Sequence, residues 1–186
     1  MLSESHIHFT RTTEGSGIFS WPTIIYTLAS ETSRREIGTL RIRMNKAVYT
    51  SAASGEELRL RRNFWHTAWL EEGDIGKRFV KISIGFKHTA TFADDTRYRM
   101  TVKRRWNLFR KKAADEFSHR AVFYREETEV AVLENRRELP AFGQDYTSPM
   151  EGIITGTLRE ERTLVGLLLL FQAYLTTSNS TTFTGH

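Results

Sequence analysis

The segment Glu160-Glu161-Arg162-Thr163-Leu164-Val165-Gly166-Leu167-Leu168-Leu169-Leu170-Phe171-Gln172-Ala173-Tyr174-Leu175 decides how the rest of the chain is read. As a helix it carries apolar side chains on every side, so it has no wet face and needs cover all round. From Leu164 to Leu175 it rises only about 18 Å, against the ~30 Å of a bilayer core. The reading is a buried helix over about 161–176, with Leu164, Leu167, Leu168 and Phe171 as its plug. It is not read as a transmembrane span. The polar stretch 177–186 is read as a tail.

What precedes this helix is written in the period of a strand. Leu40 and Ile42 alternate with Thr39, Arg41 and Arg43, and Leu58 and Leu60 alternate with Glu57, Arg59 and Arg61. Alternation of this kind gives one dry and one wet face. Further strands are expected over Thr23 to Leu28, Phe79 to Phe86, Arg97 to Lys103, His119 to Tyr124, Glu129 to Leu133 and Gly152 to Leu158. Ser54-Gly55, Glu72-Gly73-Asp74, Asp94-Asp95, Glu126-Glu127 and Glu134-Asn135 read as turns between them. Leu139 to Met150 reads as a long loop. Around Asn107 to Ala114 a hairpin fits if Thr101-Val102-Lys103 pairs with Arg120-Ala121-Val122. Short strands at this spacing, without amphipathic helices between them, imply antiparallel sheet. The expected fold is mainly β, an antiparallel barrel enclosing a hydrophobic C-terminal helix, as a single domain over 1–186.

Bulk composition agrees with a single folded domain. The chain has 186 residues, 39% hydrophobic and 26% charged, enough for a substantial core. It contains no cysteine, which excludes disulfides, thiolate metal sites and a cysteine nucleophile. The start Met1-Leu2-Ser3-Glu4-Ser5-His6 has neither a basic region nor an apolar run, so the expectation is a cytoplasmic chain, peripheral at a membrane if it meets one. A net charge of +5 favours anionic partners such as acidic lipid, an acidic protein or nucleic acid. The plain alternative is that this charge only keeps the chain soluble.

The strand pairs Tyr98-Arg99-Met100-Thr101-Val102-Lys103 and Arg120-Ala121-Val122-Phe123-Tyr124-Arg125, followed by Thr128 to Val132 and the plug Thr163 to Leu175, resemble the tubby C-terminal superfamily. The rhythm is closer to its LURP-one-related and phospholipid scramblase branches than to tubby proper. The resemblance spans about Phe19 to Leu175 and is architectural. It implies a barrel of roughly twelve strands threaded by an apolar helix. It also implies recognition of phosphorylated inositol lipid by basic residues in the tubby branch, with no individual ligand position matched here. Thr176 to His186 contains no Asp or Glu, and there is no cysteine-rich stretch, so calcium-driven scrambling does not carry over.

The strongest local charge feature is Lys103-Arg104-Arg105 with Arg110-Lys111-Lys112, interleaved with Trp106 and Phe109. It is the candidate lipid- or anion-binding site, since each basic residue near an acidic bilayer contributes roughly 1 kcal/mol. The competing reading is a solvated hairpin whose charges protect an edge. A second group, Arg59-Leu60-Arg61-Arg62 before Phe64-Trp65-His66-Thr67-Ala68-Trp69, suits base stacking, but aromatics in such positions more often pack a core or a barrel mouth. His6-x-His8 is the only close histidine spacing and makes a poor metal site. No nucleophile elbow or phosphate loop occurs, so catalytic residues, metal and cofactor are all expected to be none. The first functional reading is a non-enzymatic binding module for anionic phospholipid headgroups or a protein partner at a membrane surface. The alternatives are a lipocalin-like barrel holding a small apolar ligand, and a nucleic-acid-binding barrel. The first of these requires the helix to pack outside the barrel.

Overall fold

A computed structural model describes residues 6–15, 21–63, 67–73, 76–105, 116–138, 149–158 and 160–180. Twelve strands run in chain order: β1 (His6–Glu14), β2 (Thr23–Ser30), β3 (Glu36–Arg43), β4 (Lys46–Ser51), β5 (Glu57–Asn63), β6 (Ala68–Glu71), β7 (Arg78–Ser83), β8 (His88–Phe92), β9 (Arg97–Arg105), β10 (Glu116–Arg125), β11 (Thr128–Glu138) and β12 (Met150–Gly156). Each pairs antiparallel with its sequence neighbour, and β1 pairs with β12 to close the ring. The helix α1 (Glu161–Ser180) follows.

Closure removes the sheet edges, but a twelve-strand ring is wider than side chains alone can fill. The helix fills it. Strands right round the ring reach α1: Arg11 of β1 and Tyr26 of β2 touch Gln172, Tyr49 of β4 touches Glu161, and Glu71 of β6 touches Arg162. Phe79 of β7 lies under the Arg162 guanidinium, and His119 of β10 packs edge-on against Phe171. Leu164, Leu167, Leu168 and Phe171 are all buried, as the plug reading requires. At Gly166 a Cβ would overlap the Phe92 ring, so the absent side chain is what lets β8 close on the helix.

The inward face of the wall is the apolar half of each alternating strand. Leu40 and Ile42 on β3, Leu60 on β5, Met100 on β9, Ala121 and Phe123 on β10 and Leu133 on β11 all join one core with the helix. The outward residues include Arg41, Arg59, Lys81, Arg97, Arg120 and Glu134, all exposed. A wall charged along its outside is the reverse of a lipid-facing barrel, whose outer band is apolar. No helix among the described residues is long and apolar enough to cross a membrane.

Several expectations need correction. Strands β1, β4, β6 and β8 were missed; β6 and β8 have only four and five residues, too short to show a period. The strand expected over Phe79 to Phe86 stops at Ser83, and the one expected to reach Leu158 stops at Gly156. Glu134-Asn135 is no turn but lies inside β11: Glu134 points outward to Arg120 at 3.2 Å, and buried Asn135 donates from Nδ2 to Met150 Sδ. The polar tail does not begin at 177, because the helix runs on to Ser180. Thr176 and Thr177 turn their hydroxyls back onto the carbonyls of Gln172 and Ala173, a local bond that lets polar residues continue a helix. The proposed hairpin pairing is present: Thr101, Val102 and Lys103 face Val122, Ala121 and Arg120. Within the expected loop, Met150 already belongs to β12, and 139–148 lies outside the described residues.

Candidate functional site

Antiparallel alternation sorts the connections between two ends. The upper mouth holds the turns β2–β3, β4–β5, β6–β7, β8–β9 and β10–β11 and the start of α1. The lower rim holds the connections β1–β2, β3–β4, β5–β6, β7–β8, β9–β10 and β11–β12 and the end of α1.

At the lower rim, β3 and β4 are joined by the two residues Met44-Asn45. Arg43 lies opposite Lys46 on β4, and Lys46 in turn lies opposite Arg61 on β5. Three exposed cations thus stand side by side on one outer face, with exposed Arg41 one step along β3. Like charges placed directly opposite in a sheet destabilise it. None of these four makes an ion pair among the described residues, whereas Arg59 on the same face is held by Glu57 at 2.7 Å. Met44 has φ +49°, a left-handed backbone that favours Gly or Asn, and its side chain is half exposed. Trp21, just before β2, and Phe86, between β7 and β8, are also exposed, and Lys87 follows Phe86.

Of the basic residues singled out from sequence, Lys103 is exposed near the end of β9 at this same rim. Arg104 and Arg105 continue β9, their backbones opposite His119 and Ser118. Trp106, Phe109, Arg110, Lys111 and Lys112 lie outside the described residues, as do Phe64, Trp65 and His66; Trp69 is buried. The residues sequence reasoning missed are Arg43, Met44, Lys46, Trp21 and Phe86. For Arg43, Met44 and Lys46 the local signal is Arg-Met-Asn-Lys, a two-residue tip without the usual turn residues, and for Trp21 and Phe86 the sequence carries none.

Just inside the lower rim the barrel is polar. Tyr26 donates its hydroxyl to Gln172 Oε1 at 2.6 Å, and Arg11 Nη1 donates to the same oxygen at 3.2 Å. All three are buried, and burial pushes the Tyr26 phenol up while Arg11 opposes that shift. His119 and His88 both stand edge-on to Tyr174, and burial holds His88 below the ordinary histidine value.

The upper mouth differs in kind. Arg162 pairs with Glu71, Arg78 pairs with Asp95 at 2.7 Å, and Tyr49 donates to Glu161 at 2.8 Å. Burial and then the Glu161 carboxylate raise the Tyr49 phenol. Asp94 accepts from the Thr96 amide and hydroxyl, which holds its carboxyl below the usual range. A half-open cleft of about 700 Å³ lies among these groups, floored by Phe79, Phe92, Tyr98 and Leu158. Its charged rim mixes both signs, with Glu71 and Arg162 paired across it. Among the described residues no group of three or more His, Cys, Asp or Glu is placed to hold a metal ion.

No protein-family model matches this chain, and no curated protein or solved structure matches it either.

Proposed function

We propose that the barrel is a non-enzymatic module that docks through its lower rim on anionic phospholipid headgroups at a membrane surface. One observation carries this reading: the cross-strand row Arg43–Lys46–Arg61. A protein gains nothing in stability from three adjacent like charges, so a row of them marks a place where an anionic partner supplies the missing charge. Near an acidic surface the row contributes about 3 kcal/mol, at ~1 kcal/mol per cation. Lys103, exposed near the end of β9 at the same rim, adds to it. A barrel wound around a central apolar helix is also the plan of the tubby-like superfamily that the sequence resembles, whose tubby branch binds a phosphorylated inositol lipid through basic barrel residues.

A lipocalin-like role loses its physical basis, because the helix takes up the interior that an apolar ligand needs. The test is co-sedimentation with phosphatidylserine–phosphatidylcholine vesicles against pure phosphatidylcholine, over a salt series. Binding to the acidic vesicles is expected to fade as the Debye length shrinks from about 10 Å at 0.1 M to ~3 Å at 1 M. Replacing Arg43, Lys46 and Arg61 by Ser is expected to abolish most of it with the fold intact. Preference for duplex DNA over acidic vesicles at equal salt would transfer the row to nucleic acid.

A further inference from the structure

We infer that the lower rim does more than touch headgroups: Trp21, Met44 and Phe86 enter the bilayer interface, and the barrel stands end-on with its axis near the membrane normal. This rests on the docking reading above.

Position is the first argument. Trp21, Met44 and Phe86 are the large apolar side chains exposed among the described residues, and all three belong to the same rim. They sit in the β1–β2, β3–β4 and β7–β8 connections, spread around the ring rather than along one strand. Three points on separate hairpins of one rim define a plane across the barrel axis. A partner lying along the wall would instead need a stripe, and the wall is charged.

Chemistry is also ordered along the barrel axis. Met44 forms the tip, and Arg43 and Lys46 stand one residue behind it, with Arg61 beside Lys46. Apolar tip first and cations behind is the order a leaflet presents from its acyl boundary outward to its phosphates. Trp is favoured at that same depth. Left-handed backbone at a non-glycine costs about 1 kcal/mol, and a bulky apolar residue exposed there gains nothing in water.

Charge at the opposite end gives the third argument. The described residues of the five upper turns carry seven acids against three cations (Arg34, Arg35 and Lys77), whereas those of the lower connections contain one cation, Lys87, and no acid, with exposed Glu14 at the end of β1 beside them. An acidic surface therefore repels one end and attracts the other. The same polarity opposes a second copy as occupant, since two cationic rims face to face repel.

The chain has no cysteine, so single labels report position cleanly. Met44→Cys and Phe86→Cys at the rim, and Ser54→Cys and Glu127→Cys at the mouth, each receive an environment-sensitive fluorophore. With phosphatidylserine–phosphatidylcholine vesicles, the labels at 44 and 86 are expected to shift to the blue and to be quenched by nitroxide lipids. Those at 54 and 127 should not respond. An unlabelled Trp21→Ser/Met44→Ser/Phe86→Ser variant is expected to melt like the parent and bind the same vesicles at least about tenfold more weakly, given the apolar area withdrawn. Vesicle pelleting with silent labels at 44 and 86 overturns insertion but leaves charge-only docking standing. Quenching at 54 or 127, or parent-like binding by the triple variant, also overturns it. If no variant and no parent pellets with acidic vesicles, docking and insertion fall together.

Discussion

The two ends of this barrel solve the problem of exposed loops in opposite ways. At the upper mouth several polar groups answer one another: Arg162 with Glu71, Arg78 with Asp95, Asp94 with Thr96, Tyr49 with Glu161. Aromatic rings there are stacked inside, Phe92 edge-on to both Phe79 and Tyr98. At the lower rim Arg43, Lys46 and Arg61 stand side by side with no ion pair among the described residues, the acid of their row, Glu14, lying two strands from Arg43, and Trp21, Met44 and Phe86 face solvent. One chain built both ends on the same wall, so the fold does not force the difference. An end whose groups bond with one another has less need of a partner. An end left unsatisfied in both charge and apolar surface is suited to one that is anionic outside and apolar within.

That comparison presumes one rigid body holding both ends, and the plug supplies it. Leu168→Asp sets a carboxylate in the dry centre of the barrel, where an unpaired charge costs several kcal/mol, enough to consume a domain's stability. Insoluble or unfolded protein is the expected outcome. Soluble Leu168→Asp protein with the parent's melting temperature would refute enclosure and dissolve the link between the ends.

A smaller loss tests the polar layer above the rim. Gln172→Leu removes an acceptor that Tyr26 and Arg11 share and takes a bond from two buried donors. Stability is expected to fall by about 2–3 kcal/mol in a denaturant titration. Tyr26→Phe in the same background should cost less than it does in the parent, because its partner is already gone. Equal costs in the two backgrounds would mean the trio is not one network.

The division between what sequence revealed and what it hid follows from period and polarity. The plug was legible because a helix apolar on all sides has only one place to go, and strands with clean alternation, such as Ile37 to Arg43, announced their faces. Strands β6 and β8 were too short to alternate visibly, and β1 was hidden because its inward Arg11 broke the apolar series. Asn135 misled in the same way: a buried polar residue in a strand reads as a turn until its partner is known. The rim row was illegible for another reason. Arg43 and Lys46 are local neighbours, but Arg61 joins them only through the β4–β5 register, and β4 had not been recognised. The basic cluster noted instead, Lys103 to Lys112, has only Lys103 fully within the described residues.

Reversing one charge in the row separates stability from binding. Lys46→Glu turns two like-charge cross-strand pairs, with Arg43 and Arg61, into opposite-charge pairs. Each is worth roughly 0.2–1 kcal/mol, so the variant should be slightly more stable than the parent by thermal melting. Its binding to acidic vesicles should nevertheless fall sharply, as a cation becomes an anion at the contact. If stability rises and binding is unchanged, the row is only an unoptimised surface and the difference between the ends loses its functional meaning.

The gentlest probe of the two ends is acid. His88 lies at the lower end against Tyr174, its Nδ1 is buried with no hydrogen bond among the described residues, and burial lowers its pKa. A histidine whose folded pKa is depressed binds its proton more readily when unfolded, so folding stability declines as pH falls through the unfolded value of about 6.5. At the upper mouth the shifted acid is Asp94, depressed mainly by the Thr96 hydroxyl. Its contribution holds until pH drops through the ordinary carboxylate range near 4 and is lost only below that. Mild acidification therefore loosens the lower end while the upper mouth keeps its bonds. Between about pH 7.5 and pH 5 the parent should lose slightly more melting temperature than His88→Phe, by ~1 °C given how far solvent screens a half-buried ring. Other histidines contribute to both proteins and cancel in that difference. Identical pH profiles for parent and variant would remove His88 from the account of the lower end.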